Sequence, residues 1–332
     1  MKRTLLALAA IALVMAGCAK KDAKVGANGK AYKIGITKIV AHPALDACEK
    51  GVQDELAARG ISATFDLQNA NGDVNTATQI ASKFKADGVD AVVAIATPTA
   101  VAAANSIKDK PIVFSAVTDP VGAGLVSTLE RGQGNVTGLS DKTDVLQHLA
   151  IFVRVAKIKT LGYIYTSSEA NSASARADVE AACAKLGLKL VVQSINNSSE
   201  VKQATETIIG RVDGIYLTTD NTVYSALPAL VAVALANKKP VFSSDTTSAI
   251  EGGCLIASGF DYYKAGRATG AILADVLAGK KPEEIPVKFL TDPSETDFLI
   301  DLDVAKQCGI EFPKDILESA SKVIENGKLT TK

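Results

Sequence analysis

VDAVVAIATPTA spans residues 89–100. Residues 89–96 are apolar apart from Asp90, without the polar alternation of a strand that shows one face to water. Such a run is what a parallel strand buried on both faces requires. Thr97 then offers an N-cap and Pro98 a first-turn residue, so a helix is predicted to leave directly from the strand's carboxyl end. Upstream, KIGIT (33–37) and ISATFDL (61–67) are further strands, with helices predicted over about Pro43–Arg59, closed by Gly60, and from Asp73 to Ala86. Downstream come PIVFSAV (111–117), a Gly-rich excursion from Asp119 to Gly134, and NVTGLSD (135–141). The series then restarts. Helix Thr143–Val155 leads to strand TLGYIYT (160–166), helix Glu169–Leu186, strand LKLVVQS (188–194) and a helix near Ser199–Ile208. Strand VDGIYLT (212–218), helix Thr222–Ala236 and strands KPVFSS (239–244) and CLIASG (254–259) complete it. Asp261–Gly279 reads as one amphipathic helix, VKFLT (287–291) as a last strand, and Pro313–Glu325 as a C-terminal helix. Two βαβ series of about five strands each predict an α/β protein of two doubly wound parallel-sheet lobes.

The chain has 332 residues, 36 basic and 36 acidic side chains, 47% hydrophobic residues and no tryptophan. That composition excludes a disordered tail or a collagen-like repeat. Zero net charge argues against a nucleic-acid partner, whose phosphates demand a basic surplus. With His42 and His148 as the two histidines and no Cys-x-x-Cys pair, no metal site is expected. Met1-Lys2-Arg3 followed by apolar Leu5–Ala16 reads as a secretory signal, because the apolar stretch falls short of the ~20 residues of a membrane-crossing helix. It ends in Met15-Ala16-Gly17-Cys18, which resembles a bacterial lipobox. Residues 1–17 are therefore expected to be removed, Cys18 to be lipidated, and residues 18–30 to act as a flexible tether. Loss of Lys2 and Arg3 leaves a net charge of −2. Cys48, Cys183, Cys254 and Cys308 remain, and their wide spacing and apolar neighbours favour buried free thiols over disulfides.

Polar residues collect where the strands end. The switches are Thr97-Pro98-Thr99, Thr118-Asp119-Pro120 and Thr166-Ser167-Ser168-Glu169, the last followed by Asn171 and Ser172. Two more are Thr218-Thr219-Asp220-Asn221-Thr222 and Ser243-Ser244-Asp245-Thr246-Thr247. Ligands of open parallel sheets bind beyond the carboxyl ends of the strands. Switches from both series are thus expected to line a cleft between the lobes, each offering the free N–H groups of a helix start. A single cap, worth about 1 kcal/mol, would account for one such residue per helix. The surplus points to a polar ligand with several hydrogen-bonding groups. His42, before Pro43 at the mouth of the first helix, is a further candidate, whereas His148 is expected at the surface or a lobe boundary. No catalytic residue and no cofactor is assigned. GxSxG and GxxxxGK[ST] are absent, and Gly122-Ala123-Gly124 lacks the third glycine of a dinucleotide fingerprint.

VDAVVAIATPTA, PIVFSAVTDPVGAGLV, NVTGLSD, YTSSEANS, GIYLTTDNTV, PVFSSDTTS and GFDYYKAGRATG together resemble the ABC-transporter substrate-binding lipoproteins of the tryptophan/tyrosine type, over about residues 31–325. The resemblance implies a fold like that of the type I periplasmic binding proteins, two lobes joined by three crossings that close on a ligand. Lobe 1 would hold residues 31–141 and 260–285, and lobe 2 residues 142–259 and 286–332. The crossings would fall near Ser140-Asp141, Gly259-Phe260 and Ile285-Pro286. It further implies a non-enzymatic, membrane-anchored, monomeric receptor that delivers a small, aromatic amino acid to an importer whose permease and ATPase are separate chains. For such a ligand the carboxylate would meet Thr97, Thr99 and Thr118 at helix N-termini. The ammonium would meet Asp220 or Asp245, with Glu169 in reserve. Ser168, Asn171, Asn221 and His42 would complete the polar shell, and Ile39, Leu45 and Tyr216 are candidates for an apolar slot. A nucleoside or sugar on the same fold, and an exported α/β enzyme acting on a small polar substrate, are the alternatives.

Overall fold

A computed structural model describes residues 31–332 apart from Thr291. The signal, lipobox and tether expected within residues 1–30, Cys18 included, lie outside the described residues. In the first half the apolar runs become β1 (Tyr32–Lys38), β2 (Ala63–Asn69), β3 (Ala91–Ile95), β4 (Ile112–Ser115) and β5 (Val136–Ser140). They alternate with α1 (Pro43–Ala58), α2 (Val74–Ala86) and α3 (Thr97–Ser106). Every residue of β3 is buried, as in a strand covered by helices on both faces. Asp73 caps α2 by accepting the Thr76 N–H at 2.6 Å.

The second series comprises α4 (Val145–Ala156), β6 (Thr160–Thr166), α5 (Ala170–Leu186), β7 (Lys189–Ile195), α6 (Val201–Ile209) and β8 (Gly214–Leu217). It continues with α7 (Asn221–Ser225), α8 (Leu227–Ala236), β9 (Val241–Ser243), α9 (Thr246–Gly252) and β10 (Ile256–Phe260). The expected single helix over Thr222–Ala236 is two helices. Pro228 lacks the N–H that would continue the ladder, and the chain breaks at Ala226.

The long helix α10 (Tyr262–Leu277) returns to the first lobe and lies along α1. Glycines make that approach possible. A Cβ on Gly266 would sit 2.1 Å from the Cys48 carbonyl oxygen, and one on Gly51 2.3 Å from that of Tyr263. The edge strand β11 (Lys288–Phe289) then pairs with β5, giving a parallel sheet in the order β11-β5-β4-β3-β1-β2. Ile285, Val287 and Leu290 all belong to this lobe's core. The third crossing therefore falls after Leu290 and not at Ile285-Pro286, because β11 gains backbone partners and apolar burial from lobe 1.

Lobe 2 is finished by β12 (Thr296–Asp301), α11 (Leu302–Cys308), α12 (Lys314–Ser319), β13 (Lys322–Glu325) and β14 (Lys328–Thr331). Its sheet has the order β14-β13-β12-β10-β9-β8-β6-β7, with β12 antiparallel to β10. The predicted C-terminal helix stops at Ser319. Asn326 and Gly327 both take positive φ, 51° and 70°, and turn the tail into a hairpin. The architecture is thus the expected one, two doubly wound α/β lobes of the type I periplasmic binding fold, each sheet carrying more strands than the sequence suggested. Cys48, Cys183 and Cys254 are buried free thiols, and Cys308 is a partly exposed one.

Candidate functional site

The carboxyl ends of the two sheets face each other, and the lobes are in contact there. The Thr118 and Thr219 hydroxyls share a hydrogen bond of 2.7 Å across the cleft, and the Ser174 hydroxyl donates to Asp119 at 2.8 Å. The rings of His42 and Tyr224 stack across it with centroids 6.0 Å apart. Between them lies a cavity lined by His42, Leu45, Ala116, Asp141, Thr219, Asn221, Tyr224, Asp245 and Tyr262. Its volume is about 10 Å³, roughly what one water needs. Three larger pockets among the described residues, of about 310, 540 and 610 Å³, open elsewhere on the surface and draw on none of the strand-end switches.

Three of the predicted polar residues, His42, Asn221 and Asp245, line this cavity. Asp245 caps α9, accepting the N–H and hydroxyl of Ser248, and its burial pushes its carboxyl up to about 6 against those donors. Neither ring nitrogen of His42 has a hydrogen-bond partner. Burial holds this imidazole down to about 4 against the pull of Asp46, so the ring is neutral near pH 7. Asn221 joins the cavity to a buried network behind it, donating from its amide to Glu169 at 2.6 Å.

The other predicted residues are placed differently. Asp220 lies behind the cavity and caps α7. Its oxygens accept from the Thr166 N–H (2.6 Å), the Thr166 hydroxyl (2.8 Å), the Ser172 hydroxyl (2.7 Å) and the Val223 N–H (3.0 Å). Burial, then the neighbouring Glu169 charge, push its carboxyl up from the ordinary range. Glu169 accepts from Asn171, Asn221 and Thr222, so neither carboxylate presents a free oxygen to the cleft. Asn171 also donates to the Thr219 carbonyl at 2.9 Å. The Thr99 hydroxyl is spent on the Ile95 and Ala96 carbonyls, where β3 passes into α3. Thr118 donates to Asp141 at 3.0 Å, while Thr97 is buried at the first turn of α3 with its hydroxyl unpartnered. Ser168 is exposed. Of the slot candidates only Leu45 lines the cavity. Ile39 is in the core of lobe 1 and Tyr216 in that of lobe 2. His148, expected at the surface or a lobe boundary, is instead buried inside lobe 2, with Nδ1 3.0 Å from the Tyr216 hydroxyl, because its helix face packs on Tyr216 and Phe242.

Ala116, Asp141, Thr219, Tyr224 and Tyr262 line the cavity without having been singled out from sequence. Asp141 ends NVTGLSD, Thr219 sits inside a switch, and Tyr262 opens the returning helix; the signal for each was position at a strand end or a crossing. Ala116 (φ 53°) and Ala96 (φ 81°) both follow strands at this edge in backbone conformations that favour glycine. Such strain gathers where a ligand or a closing surface fixes the chain. Among the described residues no group of His, Cys, Asp and Glu could hold a metal ion, and no helix is long and apolar enough to cross a membrane.

Residues 33–324 match the family described as ABC transporter substrate binding protein. A tyrosine-binding protein of Clostridioides difficile strain R20291 is 38% identical over 305 residues, which cover 88% of this chain and 87% of that protein. The structure of an ABC domain from Streptococcus pneumonia in complex with L-Trp is 34% identical, with a TM-score of 0.83 over 89% of this chain and 100% of that one. The ligand-free, open structure of a substrate-binding protein with adhesive properties from Clostridium difficile is 38% identical but has a TM-score of 0.63, over 86% of this chain and 97% of that one. The fold, the cleft between its lobes and these relatives give one answer: the chain belongs to the substrate-binding proteins of ABC transporters.

Proposed function

We propose that the chain is the extracytoplasmic, lipid-anchored receptor of an ABC importer, acting as a monomer, and that its ligand is an aromatic amino acid, tyrosine or tryptophan. The observation that carries this reading is the cavity between the lobes, where two carboxylates, Asp141 and Asp245, share walls with the rings of His42, Tyr224 and Tyr262. Carboxylates suit an ammonium and rings suit a flat side chain. Once the lobes part, the unpartnered Thr97 hydroxyl and the first N–H groups of α3 would meet the ligand carboxylate. The relatives named for tyrosine and for L-Trp point the same way. At about 10 Å³ the cavity admits such a ligand only if the lobes part and the His42–Tyr224 pair spreads. A ring sandwiched at contact distance on both sides needs ~7 Å between its neighbours, about 1 Å beyond the observed 6.0 Å.

The lipobox-like Met15-Ala16-Gly17-Cys18 supports the anchor, and the lack of a phosphate loop supports a separate ATPase chain. Titration calorimetry and a thermal-shift screen over the amino acids, nucleosides and sugars test the ligand, since a ligand of the folded state raises stability by RT ln(1 + [L]/Kd). Saturable one-to-one binding of L-tyrosine or L-tryptophan is expected; a shift with nucleosides or sugars alone refutes the assignment. Replacing Cys18 by Ser should abolish labelling by a radioactive fatty acid in cells.

A further inference from the structure

The amino ends of the parallel strands in lobe 2 lie at the edge opposite the cleft, and the loops entering four of them are basic. Lys157 and Lys159 precede β6, Lys185 and Lys189 bracket the turn into β7, Arg211 precedes β8, and Lys238 and Lys239 precede β9. These strands are neighbours in the order β9-β8-β6-β7 and run parallel. The cations therefore form one row of about 15 Å, three strand spacings of ~4.8 Å. All are exposed except Lys239, which is half-buried. Among the described residues none of them makes an ion pair. Asp213, the one carboxylate in these loops, is spent on the backbone N–H groups of Lys159 and Thr160, at 2.9 and 2.8 Å. Glu251, Asp303 and Glu325, where α9 and β13 end and α11 begins, give the rest of the edge the opposite sign, so the positive surplus is confined to the β7–β9 half. Complementing helix macrodipoles accounts for Lys157, Lys185, Arg211 and Lys238 at the ends of α4, α5, α6 and α8, but not for Lys159, Lys189 and Lys239 at the strand entries. Lys157 and Lys238 both take φ 53°, backbone that favours glycine, so their charge is kept against the local preference. The matching edge of lobe 1 mixes signs, with Lys33 and Lys83 paired to Asp87 at 3.9 and 2.7 Å.

We infer that the β7–β9 half of this outer edge is a docking surface for a linear polyanion that carries repeated phosphate groups. A row of unneutralised Lys and Arg meets a chain of phosphates through charge and charge-assisted hydrogen bonds. The four loops hold no aromatic ring, so nucleic-acid bases would find nothing to stack on. Reach argues against the anchoring bilayer as the occupant. The described chain enters at β1, whose amino end lies at the outer edge of lobe 1, and the two sheets face each other by their carboxyl ends. The seven-residue strands β1 and β6, end to end at ~3.3 Å per residue, put about 46 Å between the two outer edges before any loop is counted. Residues 18–30, thirteen in all, extend to no more than about 47 Å. The basic row therefore points away from the membrane that would hold Cys18. That last step rests on the anchor reading above; the row itself does not.

Titration calorimetry of the mature protein with inorganic polyphosphate tests the inference. Binding is expected at about 50 mM salt and should weaken by about tenfold or more at about 200 mM. Lys159→Gln, Lys189→Gln and Lys239→Gln together should lower the affinity by about tenfold or more, because they remove three of the row's charges and no helix cap. The charge-matched set Lys50→Gln, Lys108→Gln and Lys202→Gln, elsewhere on the surface, should leave it within about twofold. Circular dichroism checks that both sets are folded. No binding by the wild type, or equal losses in the two sets, overturns the inference. With the protein anchored in phosphatidylcholine vesicles, replacing about a third of the lipid by phosphatidylglycerol should change polyphosphate affinity by no more than about threefold. A larger loss means that the protein's own bilayer takes the row and overturns the choice of partner. Wild-type dimers that the row variant does not form would make the occupant a second copy and overturn it likewise. Failure of Cys18 to be acylated removes the anchor reading and leaves the comparison of the two variant sets to decide the inference.

Discussion

Replacing Gly266 by Ala adds one methyl group where α10 crosses α1. The new Cβ would lie 2.1 Å from the Cys48 carbonyl oxygen and 2.8 Å from its carbon. A carbon–oxygen contact is relaxed near ~3.3 Å, so the helices must part by about 1.2 Å. Backbone rather than a flexible side chain has to yield, which places the cost at about 3 kcal/mol, the upper part of the overpacking range. Alanine's better helix propensity returns about 1 kcal/mol. The net loss is about 2 kcal/mol, or a fall of roughly 3 °C in Tm for a protein of this size. Gly210 provides the contrast. A Cβ there would meet nothing within 4 Å, and its φ is −71°, so Gly210→Ala should stabilise by about 0.5 kcal/mol by restricting the unfolded chain. Urea unfolding followed by circular dichroism compares the two. Because α1 begins at Pro43, directly after His42, Gly266→Ala should also weaken ligand binding. A Gly266→Ala midpoint at or above the wild type, or above Gly210→Ala, refutes the packing argument.

Relief of the strained backbone at Ala96 (φ 81°) by Ala96→Gly should stabilise the chain by about 1 kcal/mol, the strain released outweighing glycine's added freedom; thermal unfolding checks it. The pH dependence of stability has two opposing parts. Asp245 titrates near 6 when folded, above its unfolded value, so its contribution is full below about 4 and is lost as pH rises to about 6. His42 and His148, held near 4 when folded, add stability as pH rises from about 4 to 6.5. Asp245→Asn removes one of the falling contributions and leaves those of the other buried, raised carboxyls, Asp141 and Asp220, so urea midpoints between pH 4 and 6.5 should climb more steeply than in the wild type; parallel profiles would contradict it. Ser168→Ala, at an exposed position, should leave the calorimetric affinity for L-tyrosine or L-tryptophan within about twofold of wild type, and Asp220→Ala should lower stability by about 3 kcal/mol by stranding two buried N–H groups.

The double winding was legible because the inner strands β3 and β8 are apolar throughout and Asp73 caps α2 openly, whereas Thr97, expected as the N-cap, is the first residue of α3, whose N-cap is Ala96 with no side-chain cap. The last forty or so residues were not, since KVIE and KLTT are too short to show a period and Asn326-Gly327 outweighed the helical pattern before it. The lobe to which β11 belongs was likewise hidden, because two paired residues and a few apolar neighbours decide it. At the site, sequence identified the right edge of each sheet but not the division of labour along it. Asp220, Glu169 and Asp245 are alike as letters; the first two are consumed by donors behind the cavity, and only the third lines it. Tyr224 and Tyr262 escaped notice because an aromatic near a helix start reads equally well as core, and Asp141 because it was read as a crossing between the lobes and not as a wall of the cleft.

The interleaved course of the chain also constrains when it can fold. Lobe 1 lacks its α10 buttress and its β11 edge until about residue 290 has been made, although α1 is among its first elements. Lobe 2 cannot cover the β10 edge before β12 arrives, and its sheet ends only at Thr331. Neither lobe is a contiguous fragment that could mature while the remainder is still being synthesised, and the decisive contacts, such as Cys48 against Gly266, span most of the polypeptide. Such long-range closure is slow. A growing chain of this topology stays unfolded until nearly all of it is available, the state in which a polypeptide can still be threaded through a membrane pore.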